Sequence, residues 1–480
     1  MAEGELAGLS REELLALLAL LARQAEVIGR QQAELAEREA AIERRDEQIR
    51  ALEEELAQFR RPAKTPANSS VPPSRGQKAT RVAGRRRKPG PKRGHVGVSR
   101  GRSEPDVVIE CRPSACGGCG RALPQTGGRR VGRSQVVELP PVTPVVLEGW
   151  QYAMTCGHCG VETRGTYPAG LEPQRTFGPR IEALSSYLHE RHHVGYERLV
   201  ELCRDVFGLA ISQGGVENAL RRLVEQARPT YAAIREMVRG SPIINSDETS
   251  ARVAGRTEWQ WVFQTPTASY HVIVPSRGGE VVEAFLDGVE PEVWGSDLWA
   301  PQMLTRADAH QVCLSHQERD LTFAVDVDTG EARLWAIELR HVFGRAIRLH
   351  RERDQITPET FARRRLLIEN ATDRLVFDRY LAPKTEAARL QKRYRLHRDS
   401  LYVFLQRDDV EPTNNSSERD LRPSVIHRKV IGAFRSGWGA EASAIRSSIL
   451  ATARKQGRNL LDAFLAIAGP SPLQALPVRA

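Results

Sequence analysis

Apolar residues recur every seven positions along the first 60 residues of the chain. The series comprises Leu14, Leu21, Ile28, Leu35, Ile42, Ile49 and Leu56. Positions three residues further on are apolar only toward the two ends of the segment. This spacing predicts a coiled coil over residues 1–60 that joins two or more copies of the chain, with a polar middle that limits its strength or sets its register. The alternative is a single amphipathic helix lying on its own chain.

Residues 171–240 follow a helical pattern. An amphipathic stretch from Tyr196 to Phe207 stops at Gly208, and a second helix is expected from about Gly215 to Gln226. Two helices joined by a short glycine-containing turn are typical of a helix-turn-helix. Under that interpretation the second helix presents two candidate DNA contacts, Arg221 and Arg222. Any two packed helices can show the same pattern, so the alternative is purely structural.

From residue 241 the pattern changes to strands. Three β-rich runs are followed by a helix and a further strand; they are Ile243–Thr249, Trp259–Phe263, Tyr270–Val274, Gly279–Leu286 and Val293–Asp297. Three strands, a helix and a fourth strand are the opening order of an α/β ribonuclease H-like fold. The first part of this core is assigned to residues 241–320, a helical insertion to 321–410, and the second part of the core to 411–480.

Charge is unevenly distributed along the chain. Lys and Arg outnumber Asp and Glu by 70 to 60, but residues 61–103 hold 13 basic side chains and no acidic one, among many Pro and Gly. Such a block indicates an extended linker that binds polyanions, with nucleic acid favoured over an anionic membrane surface. Its candidate DNA contacts are Arg85, Arg86, Arg87, Lys88, Lys92 and Arg93. No apolar run reaches the ~20 residues of a membrane span, so a soluble cytoplasmic protein is expected.

Two Cys-x-x-Cys pairs lie 36 residues apart, at Cys116 and Cys119 and at Cys156 and Cys159. Each pair can supply two thiolates to one tetrahedral ion, and residues between the pairs read as short strands near 135–139 and 144–147. The segment 104–170 is therefore predicted to be a zinc ribbon with a closed structural site. Cys111 and His158 are spare donors, interpreted as non-ligands because the two pairs already fill four positions.

Three acidic residues fit the catalytic positions of the predicted core. Asp247 and Asp297 end the first and fourth strands, which lie side by side in this fold, and Glu418 lies in the first turn of a later helix. Two Mg²⁺ or Mn²⁺ ions about 3.5–4 Å apart require such hard oxygen ligands. Singly, the acids have alternatives: Asn415 and Glu418 also fit a simple capping box, and Asp308 is a rival for the second position.

The chain resembles the insertion-sequence-66 family of bacterial transposases over nearly its whole length. The resemblance rests on the basic Arg/Lys-Pro-Gly arm, the cysteine pairs, Ser-Asp247-Glu-Thr, Pro-Ser276-Arg277, Ser-Asp297 and Asn414-Asn415-x-x-Glu418-Arg419-x-Leu-Arg-Pro423. It implies a DDE-type triad of Asp247, Asp297 and Glu418. Two departures, Ser250 where the family usually has proline and the segment 311–320, indicate a divergent branch.

Together these features predict a DNA transposase that cleaves and transfers strands at insertion-sequence ends, with transposon-end and target DNA as partners. Further candidate phosphate contacts follow the third acid, at Arg419, Arg422, Arg428 and Lys429; the alternative for them is a solvated basic face. Two other functions fit the same pattern. One is a catalytically inactive zinc-ribbon DNA-binding regulator, and the other is a metal-dependent nuclease that does not join strands.

Overall fold

A computed structural model describes residues 10–60, 64–65, 97 and 101–472 of the chain. The predicted DNA contacts from Arg85 to Arg93 lie outside the described residues. The chain divides into two compact units, one formed by residues 1–76 and 314–408 and the other by residues 77–313 and 409–480. In the described ranges, no helix is both long enough and apolar enough to cross a lipid bilayer.

The first unit begins with a single long helix, α1 (Arg11–Arg60). At 1.5 Å per residue its 50 residues extend about 75 Å. Five apolar side chains of the seven-residue series are between 52% and 59% exposed, namely Leu21, Ile28, Leu35, Ile42 and Ile49. The apolar seam is thus a property of the helix surface, and within the single chain it stays in contact with solvent.

The second segment of this unit, residues 314–408, is helical. Its elements, with 3₁₀ and π turns between some of them, are α7 (Leu314–Val327), α8 (Gly330–Arg351), α9 (Pro358–Asp373), α10 (Glu386–Leu396) and α11 (Val403–Gln406). Trp335, Phe343 and Tyr394 are fully buried in its core. The carboxylate of Asp328, between α7 and α8, accepts hydrogen bonds from two backbone amides at the start of α10, at 3.1 and 2.7 Å.

The other unit opens with a short antiparallel hairpin and three helices. These elements are β1 (Ala153–Thr155), β2 (Glu162–Arg164), α2 (Pro179–His192), α3 (Tyr196–Phe207) and α4 (Gln213–Arg239). The strands expected near 135–139 and 144–147 are absent: those residues are described and irregular. Their apolar side chains, such as Val146 at 92% exposure, have no sheet to pack against, so a valine-rich run alone did not produce a strand.

Helix α4 is longer than its sequence predicts. Ser212 caps it through a hydrogen bond from the Gly215 amide, and it continues through Pro229 to Arg239 instead of ending near Gln226. A proline inside a helix removes one backbone hydrogen bond. Burial of Ile234 and Val238 in the main core offsets that loss, which is a tertiary effect invisible in local propensity.

A five-stranded mixed sheet forms the centre of this unit. Its strands are β3 (Ile243–Val253), β4 (Arg256–Gln264), β5 (Ser269–Val274), β6 (Val293–Ser296) and β7 (Ala309–Val312), arranged in the order β5-β4-β3-β6-β7. The first three strands are antiparallel, whereas β6 runs parallel to β3 and β7 parallel to β6. This order and these directions are compatible with a ribonuclease H-like core.

Helices complete the layers around the sheet. They are α5 (Glu280–Leu286) and α6 (Ala300–Met303) before the helical segment, and α12 (Asn415–Val430), α13 (Gly437–Lys455) and α14 (Leu460–Ala468) after it. Helix α13 lies along β5, where its Ser448 hydroxyl accepts a 2.8 Å hydrogen bond from the His271 amide. Trp261, Phe263 and Trp294 are fully buried between these layers.

Candidate active site

The site is built at the point where β3 and β6 cease to pair. The two parallel strands are in register only from Ile243 opposite Val293 to Asn245 opposite Gly295. Asp247 and Asp297 are each two residues beyond that last pair, so the same register brings them to neighbouring positions. Adjacent strands lie about 4.8 Å apart. The sheet therefore places one carboxylate beside the other.

Two local features of these strands could not be predicted from the sequence. β3 does not end at its acids but continues to Val253, paired throughout with β4. Gly295 has a steric role, because a Cβ atom there would collide with the Asn245 side chain. A glycine at this position lets the two strands approach immediately before their carboxylates.

Glu418 reaches the site from the first turn of α12. The helix begins at Asn415, so Asn414, not Asn415, is its N-cap residue, and it makes no side-chain capping hydrogen bond. Instead, the Asn414 side-chain amide donates to the Ser246 carbonyl at 2.6 Å, and its backbone amide donates to the Cys313 sulfur at 3.1 Å. These contacts attach the start of α12 to β3, one residue from Asp247.

The pKa of Asp247 responds to burial and to the charges of the neighbouring acids. Burial raises the pKa of Asp247 well above its ordinary value of 3.8, and the nearby charges of Glu248, Asp297 and Glu418 raise it further. A backbone hydrogen bond from the Glu248 amide acts in the opposite direction. In the absence of a cation, Asp247 therefore carries an uncompensated electrostatic cost.

The chemical type of the candidate ligands suits a divalent cation. All of these ligands are carboxylate oxygens, which Mg²⁺ and Mn²⁺ prefer, and a cation would remove the repulsion that raises the pKa of Asp247. As placed, however, no three His, Cys, Asp or Glu side chains among the described residues are close enough to hold a metal ion. The carboxylates lie within electrostatic range of one another without forming a closed coordination shell.

Glu248 follows Asp247 but is held in a different way. Its side chain is only 2% exposed. One carboxylate oxygen accepts hydrogen bonds from Arg277 at 3.0 and 2.7 Å, and the other accepts one from Gln302 at 2.7 Å. The Arg277 guanidinium also lies over the rings of Trp259 and Trp299, at 4.6 and 4.0 Å from their centroids. Because both carboxylate oxygens of Glu248 accept hydrogen bonds, Glu248 is not a free metal ligand. Its charge nevertheless raises the pKa of Asp247.

Sequence reasoning missed this arginine clamp. The Pro-Ser276-Arg277 motif was visible, but nothing in its spacing shows that Arg277 reaches Glu248, 29 residues earlier. The two tryptophans that hold the guanidinium come from β4 and from the turn after β6. Only the folded sheet brings these four side chains together.

The basic residues after Glu418 divide into two groups. Arg422 and Lys429 are exposed, and they follow Glu418 by four and eleven residues, so they lie on the same stripe of α12. Arg419 is also exposed, and its nearest described partner is the Asn415 carbonyl at 3.4 Å. Arg428 instead turns inward and donates to the Ser250 carbonyl and hydroxyl, while burial lowers the pKa of its guanidinium.

The two predicted DNA contacts on α4, Arg221 and Arg222, are engaged within the protein. Arg222 forms a 2.6 Å ion pair with the fully buried carboxylate of Glu182, and Arg221 pairs with Glu217 at 2.7 Å. The Arg221 guanidinium also stacks over Trp438, 3.8 Å from the ring centroid. Their contacts support a structural role, and DNA contact by either side chain stays a prediction.

The rival acid, Asp308, lies at the opposite end of the parallel strands from Asp297. It immediately precedes β7, and its backbone amide donates to the Pro291 carbonyl just before β6, at 3.3 Å. Since β6 and β7 are parallel, the start of β7 lies next to the start of β6, whereas Asp297 follows its end. The structure therefore keeps Asp308 apart from Asp247.

The two cysteine pairs have the same local structure. In each, the amide of the first cysteine donates to a carbonyl five residues later, and a glycine with positive φ, Gly120 or Gly160, donates back to the first cysteine. Backbone amides inside each turn lower the pKa of Cys116 and Cys156. The described structure does not group the four thiols into one site. Each half of the predicted zinc site is formed, and the complete site stays a prediction.

Comparison with known families identifies the relatives of this chain. The family model for the transposase IS66 family matches residues 174–442, more than half of the chain and a span that contains Asp247, Asp297 and Glu418. No curated protein matches the chain.

Proposed function

The chain belongs to the IS66 family of transposases, and from that premise we propose that it cleaves and joins DNA strands with two divalent metal ions held by Asp247, Asp297 and Glu418. The observation that carries the proposal is the register of β3 and β6, which brings Asp247 and Asp297 to neighbouring positions. The hydrogen bond from Asn414 to Ser246 supports the same arrangement for the helix that bears Glu418.

Bound Mg²⁺ or Mn²⁺ would activate water or a 3′ hydroxyl and stabilise the leaving oxygen of the phosphodiester. The side chains prepare the site for this chemistry. Asp247, Asp297 and Glu418 would hold the ions through their carboxylate oxygens. Arg277 pairs with Glu248 beside them, which balances the charge of Glu248 and keeps its carboxylate out of the ligand set.

DNA is proposed to approach along the exposed stripe of α12. Arg422 and Lys429 lie on the stripe that begins with Glu418, and they carry no carboxylate partner among the described residues. Guanidinium and ammonium groups at these positions neutralise phosphate oxygens and fix the register of the strand. The basic arm over residues 61–103 is proposed to add affinity that is independent of DNA sequence.

An oligonucleotide carrying one end of the insertion sequence tests this function directly. Full-length protein should cut it only when Mg²⁺ or Mn²⁺ is present, and a second duplex should yield joined product. Cutting without joining would assign a nuclease, and binding without cutting would assign a regulator. Either outcome contradicts the proposed strand transfer.

Asp247→Asn should stabilise the metal-free protein by about 0.5–2 kcal/mol at pH 7, a gain common when a functional charge is removed. The folded pKa of Asp247 is raised, so the folded state binds more protons than the unfolded state above about pH 3.8. Wild-type stability therefore falls as the pH rises through the window from 3.8 to the raised pKa. The gain from asparagine should grow over the same window and vanish at its acidic end.

Thermal melts with and without Mg²⁺ measure this effect together with metal binding. Mg²⁺ should raise the melting temperature of the wild type, because it binds only the folded state, and it should raise that of Asp247→Asn much less. Asp308→Asn is the matched control and should respond to Mg²⁺ as the wild type does. Equal stabilisation of all three proteins by Mg²⁺ would place the cation elsewhere.

We also propose that Cys116, Cys119, Cys156 and Cys159 hold one structural Zn²⁺ per chain. Elemental analysis of purified protein should find about one zinc, and Cys116→Ser should lose nearly all of it and unfold the segment 104–170. Cys111→Ser removes an exposed thiol outside both pairs and should keep the metal. Protein that is folded and free of zinc would refute the proposed ribbon.

A further inference from the structure

A groove of about 660 Å³ lies between α7 and α8 in the helical segment 314–408. Arg319 of α7 faces it from one side, and Arg340, Arg345 and Arg348 of α8 face it from the other. We refer to this feature as the arginine groove. All of its lining residues belong to one compact unit, so the groove depends only on the packing of these two helices.

The charge of the arginine groove is strongly positive. Four guanidinium groups line it against a single carboxylate, that of Glu318. Burial raises the pKa of Glu318, which lowers its tendency to carry the compensating negative charge. Arg340 donates a 3.3 Å hydrogen bond across the groove to the Thr322 hydroxyl. Arg345 and Arg348 are exposed and have no ion-pair partner within the described part of the chain.

The two halves of α8 differ in how their charges are arranged. In the first half, Glu331 and Glu338 both pair with Arg379, at 2.9 and 2.7 Å. The stretch from 339 to 351 contains four arginines and no acid. An ordinary solvated helix surface intersperses the two signs, since i,i+4 pairs stabilise it. The second half therefore has the charge pattern of a surface that receives an anion.

Gly344 lies at the centre of the groove, in the middle of α8. A glycine inside a helix costs about 1 kcal/mol relative to alanine. Packing does not require it, because a Cβ atom there would come no closer than 4.0 Å to Glu318, an ordinary contact. What the missing side chain provides is space, which lets a ligand approach between the arginines.

We propose that the arginine groove binds the phosphodiester backbone of DNA. Several guanidinium groups in a concave surface match successive phosphates along a strand, and arginine contacts phosphate oxygens in bidentate geometry. No Phe, Tyr or Trp side chain lines the groove for base stacking, so we expect it to hold the backbone without reading sequence. This inference rests on the proposed transposase function and adds a second DNA-binding surface to it, in the helical segment.

Fluorescence anisotropy with full-length protein and a duplex of unrelated sequence tests the groove. The double variant Arg345→Ala, Arg348→Ala should bind more weakly and should lower the slope of log affinity against log salt by about 1.8, for two phosphate contacts at about 0.9 each. Arg333→Ala is the control, since it removes an exposed arginine of α8 outside the groove. It should leave the slope unchanged.

A second variant tests whether DNA binding needs the open space at Gly344, and it leaves the charge of the arginine groove unchanged. Gly344→Leu fills the groove and keeps every guanidinium, and it should also weaken binding, whereas Gly344→Ala should not. Far-UV circular dichroism on each variant checks that α8 is intact. An unchanged salt slope in the double variant, or an equal loss in Arg333→Ala, would overturn the inference.

Cleavage measured in the same samples separates this inference from the function on which it rests. If the wild type cuts DNA and the double variant keeps the wild-type salt slope, the groove assignment fails and the transposase function stands. If the double variant loses affinity but the wild type does not cut with Mg²⁺ or Mn²⁺, the catalytic proposal fails and the groove remains a DNA-binding site.

Discussion

Asp247→Ala, Asp297→Ala and Glu418→Ala should each reduce metal-dependent cleavage of DNA by at least about 10³-fold, the scale of losing a group that stabilises transition-state charge. Affinity for DNA should change little, because the three side chains are placed to hold cations and not phosphates. Removing one negative charge should strengthen binding slightly at low salt. Gel analysis of a labelled oligonucleotide, with binding measured in parallel, gives both quantities.

Asp308→Ala is the matched control for these variants. It removes the same functional group from the same sheet, but at the opposite end of the parallel strands from Asp297. It should cleave within a few-fold of the wild type. Full activity in one of the three triad variants would remove that residue from the site, and loss of activity in Asp308→Ala would reopen the choice of the second acid.

Deleting residues 1–60 should convert a self-associating protein into a monomer. The described part of the apolar seam of α1, from Leu21 to Ile49, is exposed in the single chain, and a second copy of the same helix would bury it. A dimer can hold two transposon ends at once, so we expect the deletion to weaken capture of paired ends by about 10²-fold or more, the gain usual for bivalent binding. Binding to a single end should be nearly unchanged.

Point variants in α1 distinguish dimerisation through the apolar seam from a general effect of adding a charge to the helix. Leu35→Asp places a charge on the seam, whereas Ala40→Asp places the same charge five residues later, on the outer face of the heptad. Sedimentation at micromolar concentration should show loss of the dimer only for Leu35→Asp. Deleting residues 61–103 should leave association intact and flatten the salt dependence of DNA binding. A monomeric wild type would exclude the coiled coil.

Much of the core could be predicted because its signals are local. Strands β4 and β5 are short runs of apolar and aromatic residues bounded by turns, and α5 follows them within a few residues. The order of three strands, a helix and a further strand is compatible with the sheet that forms. The resemblance to the insertion-sequence-66 family is confirmed by the family match over residues 174–442.

The errors came from features that depend on distant packing. Residues near 135–139 and 144–147 are rich in valine, as strands are, yet they form none, because a strand needs a paired neighbour as well as its own pattern. Helix α4 passes through Pro229 because its later turns are buried against the sheet. In both places the local pattern was outweighed by whether tertiary partners were present.

In the candidate site, too, some features could be predicted from the sequence and others depend on tertiary packing. Sequence alone selected Asp247, Asp297 and Glu418, since acids at strand ends and in a first helical turn are recognisable by position. It also singled out Arg428 as a phosphate contact, but in the structure that side chain turns inward to Ser250. Side-chain direction on α12 depends on how the helix packs against β3, and no spacing within the helix reveals it.

By itself, the sequence determined the heptad seam of α1, the basic arm, the cysteine pairs and the choice of Asp247, Asp297 and Glu418 as candidate acids, because each is a pattern of nearby residues. Only the tertiary structure decided the register of β3 against β6, which sets Asp247 beside Asp297 and keeps Asp308 away. It also decided the clamp on Glu248 and the groove between α7 and α8. These features join residues far apart in the chain, and backbone pairing and side-chain packing, not local propensity, determine which of them meet.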